Sequence, residues 1–418
     1  MFIWAANGES MRTYNKVTPE GTKDLLFEEC LIHRAVEQKL TAVFAARGFH
    51  EVVTPGMEFM DVFDPEVSGI APEIMYKMSD RRGRLIVMRP DSTMPIARLA
   101  ATRLQKEEKP LRLYYTQRIY RNHPNLTGRS DEVLQAGVEL LGAGGKRADL
   151  EAICTAVESL SSCTPDFRLE LGHAGFFRAI ADGLPITADQ REEIRSLIES
   201  KNYAALESLL DGLEQTPAVE AMRRLPRLFG GEEVFVQAAP LCGSEEAAAM
   251  LEYLHSLYKS LSALGLGNRL MVDLGLVQRN DYYTGVVFSA YAQDCGDAIL
   301  LGGRYDNLLG RFDLPMPAIG FSVNVDAVVK LLAEQGYAPE CSRPDVLVYG
   351  CPGHEVKALL YASGVTSQGG SCETSVFETE EESIEYARRR GIPNVAIVGQ
   401  SVKEYSLADN TEIGGDQA

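Results

Sequence analysis

The chain has 418 residues, 45% of them hydrophobic and 24% charged, with 41 Lys+Arg against 59 Asp+Glu for a formal charge of −18. That composition excludes a disordered chain, and no apolar run reaches the roughly 20 residues that span a bilayer. The acidic balance disfavours non-specific binding to phosphate backbones, while leaving room for a local basic patch.

Residues 1–16, opening "MFIWAANGES", have no basic leader and read as an extension rather than a secretory signal, with Met11 as an alternative start. "LFEECLIHRAVEQKLTAVFAARGF" (26–49) has helical spacing and a Gly48 stop. "HEVVTPGMEF", "RLIVMRPDST" and "LRLYYTQRIYR" have strand composition, and "SDEVLQAGVELLG" is read as a strand. Residues 143–162 are expected to be helical, as is an insertion at about 185–265, where Thr187 is a candidate N-cap. "RLMVDLG", "YYTGVVFSAYA" and "AILLGGRYD" return to strand, and "PAIGFSVNVDAVVKLLAEQG" runs from strand into helix. After a linker at 336–344, "DVLVYG", "GHEVKALLYASG", "TEEESIEYARRRG" and "VAIVG" alternate as a small α/β unit, with Thr379 and Glu382 set for a capping box. The last ten or so residues are polar and expected to fray.

Eight cysteines without CxxC or zinc spacing fit small core residues in a reducing cytoplasm. His123 and His173 lack a companion at ligand spacing, so no metal is expected. "LGAGGKR" (141–147) lacks the phosphate-loop spacing and reads as a turn. The glycine pair of "LGGRYDN" (301–307) reads as a tight turn or as a close approach to a ligand. Arg118, Arg121 and Arg129 flank one loop, as solvated charge or as a fork for an anion. Asp91, with Thr93 nearby, could hold an ammonium group or cap a helix. Gln135 and Glu139 share one face of a strand, where two inward polar groups need partners: a polar ligand or a structural network.

The order of these segments decides more than any one of them. "TPEGTKDLL" (18–26), "RPDSTMPIAR" (89–98), "YRNHPNLTGR" with "LQAGVELLG", "DYYTGVVF" (281–288), "LGGRYDNL" and "PAIGFSVNVD" together resemble the histidyl-tRNA synthetases over roughly residues 17–335. The resemblance implies an α+β fold: a class II synthetase-like antiparallel sheet flanked by helices, with a reduced anticodon-binding-like α/β domain at 345–405. It assigns the ammonium of histidine to Asp91, Thr93 and Gln135, and the imidazole to Glu139 and Tyr283. Tyr282 and Arg121, the latter matching an α-phosphate ligand, complete the expected histidine-binding set.

Four positions depart from that family. Gln278 stands where "LVRGLDYY" carries arginine, with Arg279 one residue along, and Ala327 replaces the arginine of the third signature. His123 replaces a glutamate, and Asp131 stands where "GRYRQFHQ" carries a cation. One lost donor to a developing charge costs about 3–4 kcal/mol, so little adenylation is expected. An amino-acid half kept beside a dismantled ATP half is similar to the regulatory subunits of short-form ATP phosphoribosyltransferase, synthetase paralogues without aminoacylation activity. That likeness implies a non-catalytic, cytoplasmic protein without cofactor or tRNA. It also implies a homodimer within a hetero-oligomer with the catalytic subunit, and L-histidine as feedback effector. The alternatives are an active histidine–tRNA ligase, with Arg279 or another cation substituting, and a stand-alone histidine-binding or RNA-interaction module.

Overall fold

Ile32, Val36, Leu40 and Phe44 recur every fourth residue of the helix Phe27–Ala46 and are buried, so one apolar stripe defines its inner face. Gly48, at φ +79, stops it, since a Cβ disfavours that conformation. In the computed structural model, which describes residues 15–123, 129–276, 282–293, 295–337, 339, 341–407 and 411–414, the chain divides into two compact units, Met1–Ala338 and Pro339–Ala418.

Among the described residues, the first unit is built on a nine-stranded sheet. Its order is His50–Glu51, Leu111–Tyr120, Glu132–Leu141, Ala318–Asn324, Leu300–Arg304, Val286–Tyr291, Arg168–His173, Leu270–Asp273 and Phe229–Gly230. The central pairs are antiparallel, whereas His50–Glu51 beside Leu111–Tyr120 and Arg168–His173 beside Leu270–Asp273 run parallel. The sheet is therefore mixed, with the expected antiparallel centre.

The segment 132–141 is a strand, and its alternation organises the unit. Leu134, Ala136, Val138 and Leu140 point into a core shared with Phe27–Ala46 and the helices Gly145–Cys163, Glu245–Leu261 and Val325–Glu334. Gln135 and Glu139 occupy the opposite face. Burying each large apolar side chain is worth about 1.5–3 kcal/mol, so a one-residue slip, which would exchange the two faces, is strongly disfavoured.

Several elements differ from expectation. "HEVVTPGMEF" yields only His50–Glu51 and Met57–Phe59, separated at Pro55-Gly56. "RLIVMRPDST" is a strand only over Leu85–Met88, and a helix starts at Thr93. The insertion is helical apart from the short strand Phe229–Gly230. Gly302 and Gly303 form no turn: they lie inside the strand Leu300–Arg304.

In the second unit, Val346–Gly350 lies parallel to Cys372–Thr374 and Asn394–Val398, and Val402–Ser406 adds antiparallel. Val346 and Val348 pack with Ala358 and Ala362, while Leu347 and Tyr349 pack with Ala387 and Ile392, so a helix covers each face. Thr379 accepts the amide of Glu382 at 3.2 Å, forming the N-cap half of the expected capping box. Glu380–Glu382 open that helix and Arg388–Arg390 close it, both complementing its dipole. Within the terminal stretch expected to fray, Thr411–Gly414 instead pairs as a strand with Val402–Ser406.

Candidate ligand pocket on the sheet face

Strand register brings glycines together beneath one carboxylate. Glu139 lies opposite Gly320, which lies opposite Gly303. A Cβ on Gly320 would sit 1.9 Å from Glu139 Oε2, and one on Gly303 would sit 2.6 Å from the Tyr283 ring. Only glycine at these positions lets the carboxylate and the ring lie down on the sheet. Of the pair Gly302-Gly303, the second admits the Tyr283 ring while the first is packed under Phe288 and Phe321.

Above this floor is a cavity of about 900 Å³. All seven side chains of the expected histidine-binding set (Asp91, Thr93, Arg121, Gln135, Glu139, Tyr282 and Tyr283) line it. Glu139 is 1% exposed, accepts Thr93 Oγ1 at 2.7 Å on one oxygen and the Tyr305 hydroxyl on the other. Burial pushes its carboxyl up to about 8; the Tyr305 and Thr93 hydrogen bonds pull it down and the charge of Asp91 pushes it up. Desolvation thus shifts the carboxyl toward its protonated form, the form that can donate to a ligand.

Asp91 does cap a helix, taking the Met94 amide at 2.9 Å on Oδ1, while its Oδ2 faces the Tyr282 hydroxyl at 3.5 Å. Burial raises its pKa, opposed by the Met94 amide and the charge of Arg121. The rings of Tyr282 and Tyr283 lie 4.9 Å apart, and Tyr305 meets Tyr282 edge-on at 5.7 Å. Gln135 lies opposite Asn324, and its amide forms no hydrogen bond among the described residues. Tyr305 was missed by the residue-level reading, although it stands inside "LGGRYDN". Its signal was position: it follows the two glycines on the strand next to that of Gly320.

The other end of the cavity differs. Arg121 Nε donates to Pro90 O at 2.8 Å, and Arg118 lies 3.4 Å from Glu132. Ala327 lines the cavity near Asp326, Asn324 and Lys330. Lys330, the basic residue of that helix, is exposed and 4.0 Å from Glu334. Gln278 and Arg279 lie outside the described residues. Asp131 has become a structural anchor: it accepts the Tyr76 hydroxyl and the His123 amide, and its backbone bonds to Gly21 and Arg121. A Cβ on Gly21 would fall 2.6 Å from Asp131 Cγ, so the segment "TPEGTKDLL" is seated against this aspartate. His173 is buried and lowered to about 4 by desolvation and by Arg178, and its Nδ1 accepts the Gly175 amide. Among the described residues no cluster of three or more metal-type ligands occurs, and no helix is long and apolar enough to cross a membrane.

A family model for histidyl-tRNA synthetase matches residues 21–328. The chain is 38% identical to the ATP phosphoribosyltransferase regulatory subunit of Clostridium kluyveri, over 91% of this chain and 99% of that protein. It is 36% identical to the same subunit of Bacillus cereus, over 94% and 95%. The chain belongs to the family of ATP phosphoribosyltransferase regulatory subunits. It is accordingly a regulatory, non-catalytic member of the histidyl-tRNA synthetase-like proteins. An ATP phosphoribosyltransferase regulatory subunit/histidyl-tRNA synthetase from Bacillus halodurans shares its structure at a TM-score of 0.78 and 27% identity, over 90% of this chain and 97% of that one.

The hydrogen bonding around Glu139 makes a direct prediction. Tyr305→Phe removes a donor that favours the ionised form, so Glu139 should lose its proton at a higher pH than the wild type's value of about 8. Infrared difference spectra of the carboxyl band across pH 6–10 (roughly the window around that value) measure this, and an unchanged midpoint would contradict the assignment.

Proposed function

We propose that the pocket binds free L-histidine, and that its occupancy restrains a catalytic ATP phosphoribosyltransferase partner at the entry to histidine biosynthesis. The observation that carries this reading is that the seven side chains line one cavity around the buried carboxyl of Glu139. An imidazole offers one acceptor and one N–H donor, which answers a carboxylic acid flanked by phenols. Asp91 supplies an acceptor for the ammonium, and Arg121 a cation for the carboxylate. The side-chain departures at the far end, Ala327 and Asp131, argue against use of the cavity for nucleotide chemistry.

Feedback requires histidine to bind one state of the complex more tightly than another. In the assembly of wild-type chain with the catalytic subunit, histidine should inhibit the phosphoribosyltransferase. With Glu139→Ala, the complex should remain active but its inhibition should weaken by at least about a hundredfold in histidine concentration, as expected when a buried polar contact is lost. Unchanged inhibition in that variant would move the effector site elsewhere.

A homodimer is supported by the three-stranded sheet of Met57–Phe59, Leu85–Met88 and Lys77–Ser79. Its inner face buries Glu58 and Val87, while Met57, Phe59 and Met78 stand exposed on the other. Such a grouped apolar face marks an interaction surface. Phe59→Glu should halve the mass seen by sedimentation, and an unaltered mass would exclude this face. The free cysteines are consistent with a cytoplasmic location.

A further inference from the structure

The strand end that carries Tyr305 is held from behind by a buried charged network that the pocket itself does not use. Arg304, 6% exposed, donates through Nε to Asp149 Oδ1 at 2.8 Å, through Nη2 to the same oxygen, and through Nη1 to Asp306 Oδ1 at 2.8 Å and Ala143 O at 3.3 Å. Asp149 is fully buried in the helix Gly145–Cys163, and its other oxygen accepts the hydroxyl of Tyr253, from the helix Glu245–Leu261 of the insertion. The backbone on either side is tied as firmly. Thr284 N donates to Arg304 O at 2.7 Å, Asp306 N to Thr284 Oγ1 at 2.9 Å, and Ala318 N to Asp306 Oδ1 at 3.1 Å.

The same insertion helix reaches the pocket by a second contact. Gly175, in the short helix Ala174–Ala181, leaves room for Met250, whose Cε would lie 2.8 Å from a Cβ there, and Arg178 of that short helix donates to Tyr283 O at 2.6 Å. Two aromatic walls of the pocket, Tyr305 and Tyr283, thus rest on elements braced by Glu245–Leu261. Satisfied buried networks of this kind fix one geometry, and losing one member leaves a partner uncompensated.

We infer that Tyr253 is a positioning residue for the histidine pocket: through Asp149 and Arg304 it sets Tyr305 against Glu139, so that the helical insertion and the ligand influence each other. The inference rests on the histidine reading above and deepens it. By linkage, anything that shifts Glu245–Leu261 changes histidine affinity, and histidine shifts that helix in return.

Tyr253→Phe keeps the ring and removes only the hydroxyl. Calorimetric titration of the full chain with histidine should show affinity about tenfold weaker, the usual effect of one hydrogen bond to a charged group. Because a loosened Tyr305 donates less well to Glu139, the pH at which affinity breaks as that buried carboxyl loses its proton should also move higher, which mere loss of packing would not cause. Asp306→Ala, which removes the acceptor of Arg304 Nη1 on the other side, should shift both readouts in the same direction, and exposed Glu252→Gln should change neither. Wild-type affinity in Tyr253→Phe, or weaker binding with an unmoved pH break, would overturn the inference. Failure of the wild-type chain to bind histidine would instead refute the functional reading itself.

Discussion

The pocket depends on one buried carboxyl, Glu139, held between a threonine and a tyrosine above a floor that admits no side chain. Gly320 and Gly303 are as necessary as the polar groups, because a Cβ at either position would occupy the space of Glu139 or Tyr283. Desolvation then does the chemical tuning. Burial pushes the carboxyl up to about 8, toward the protonated form that could donate to an incoming ligand. The strand alternation that buries Leu134, Ala136, Val138 and Leu140 on one side fixes Glu139 on the other. Core packing and site geometry are therefore one constraint.

The cavity is uneven from end to end. Around Glu139 the polar groups are buried, mutually bonded and aromatic-walled. Around Ala327 and Asp131, where the synthetase resemblance implies cations that would neutralise a leaving phosphate, stand a methyl group and an acid. Asp131 shows how such a change becomes fixed. It anchors Tyr76, the His123 amide and the tightly approached Gly21, so restoring a cation there would unseat three segments at once. On the proposed reading, recruitment of a synthetase-like fold for regulation is physically economical: the amino-acid contacts would serve as a sensor without nucleotide chemistry beside them.

Much of this was legible in the residues. The segment 132–141 mixes strand and helix signals, and reading it as a strand sets Gln135 and Glu139 on one face, while the spacing of Phe27–Ala46 showed its buried stripe. The set of seven site positions came from the resemblance, since Asp91 and Tyr283 lie almost two hundred residues apart and no local pattern joins them. Tyr305 escaped because its neighbours drew attention to backbone freedom, whereas the glycines matter here for what lies above them. The Arg304–Asp149–Tyr253 network was invisible for a related reason: its members come from three distant segments, and each alone reads as surface charge or helix filler. Thr411–Gly414 was misjudged on polarity, since an edge strand needs backbone partners more than apolar side chains.

The central claim is that this chain keeps an amino-acid pocket without a working nucleotide site. Histidine-dependent exchange of pyrophosphate into ATP, measured on protein whose histidine binding has been verified by calorimetry, tests it most directly. The account predicts saturable histidine binding and no exchange above background. Robust exchange that depends on histidine would contradict it and make the protein an activating enzyme.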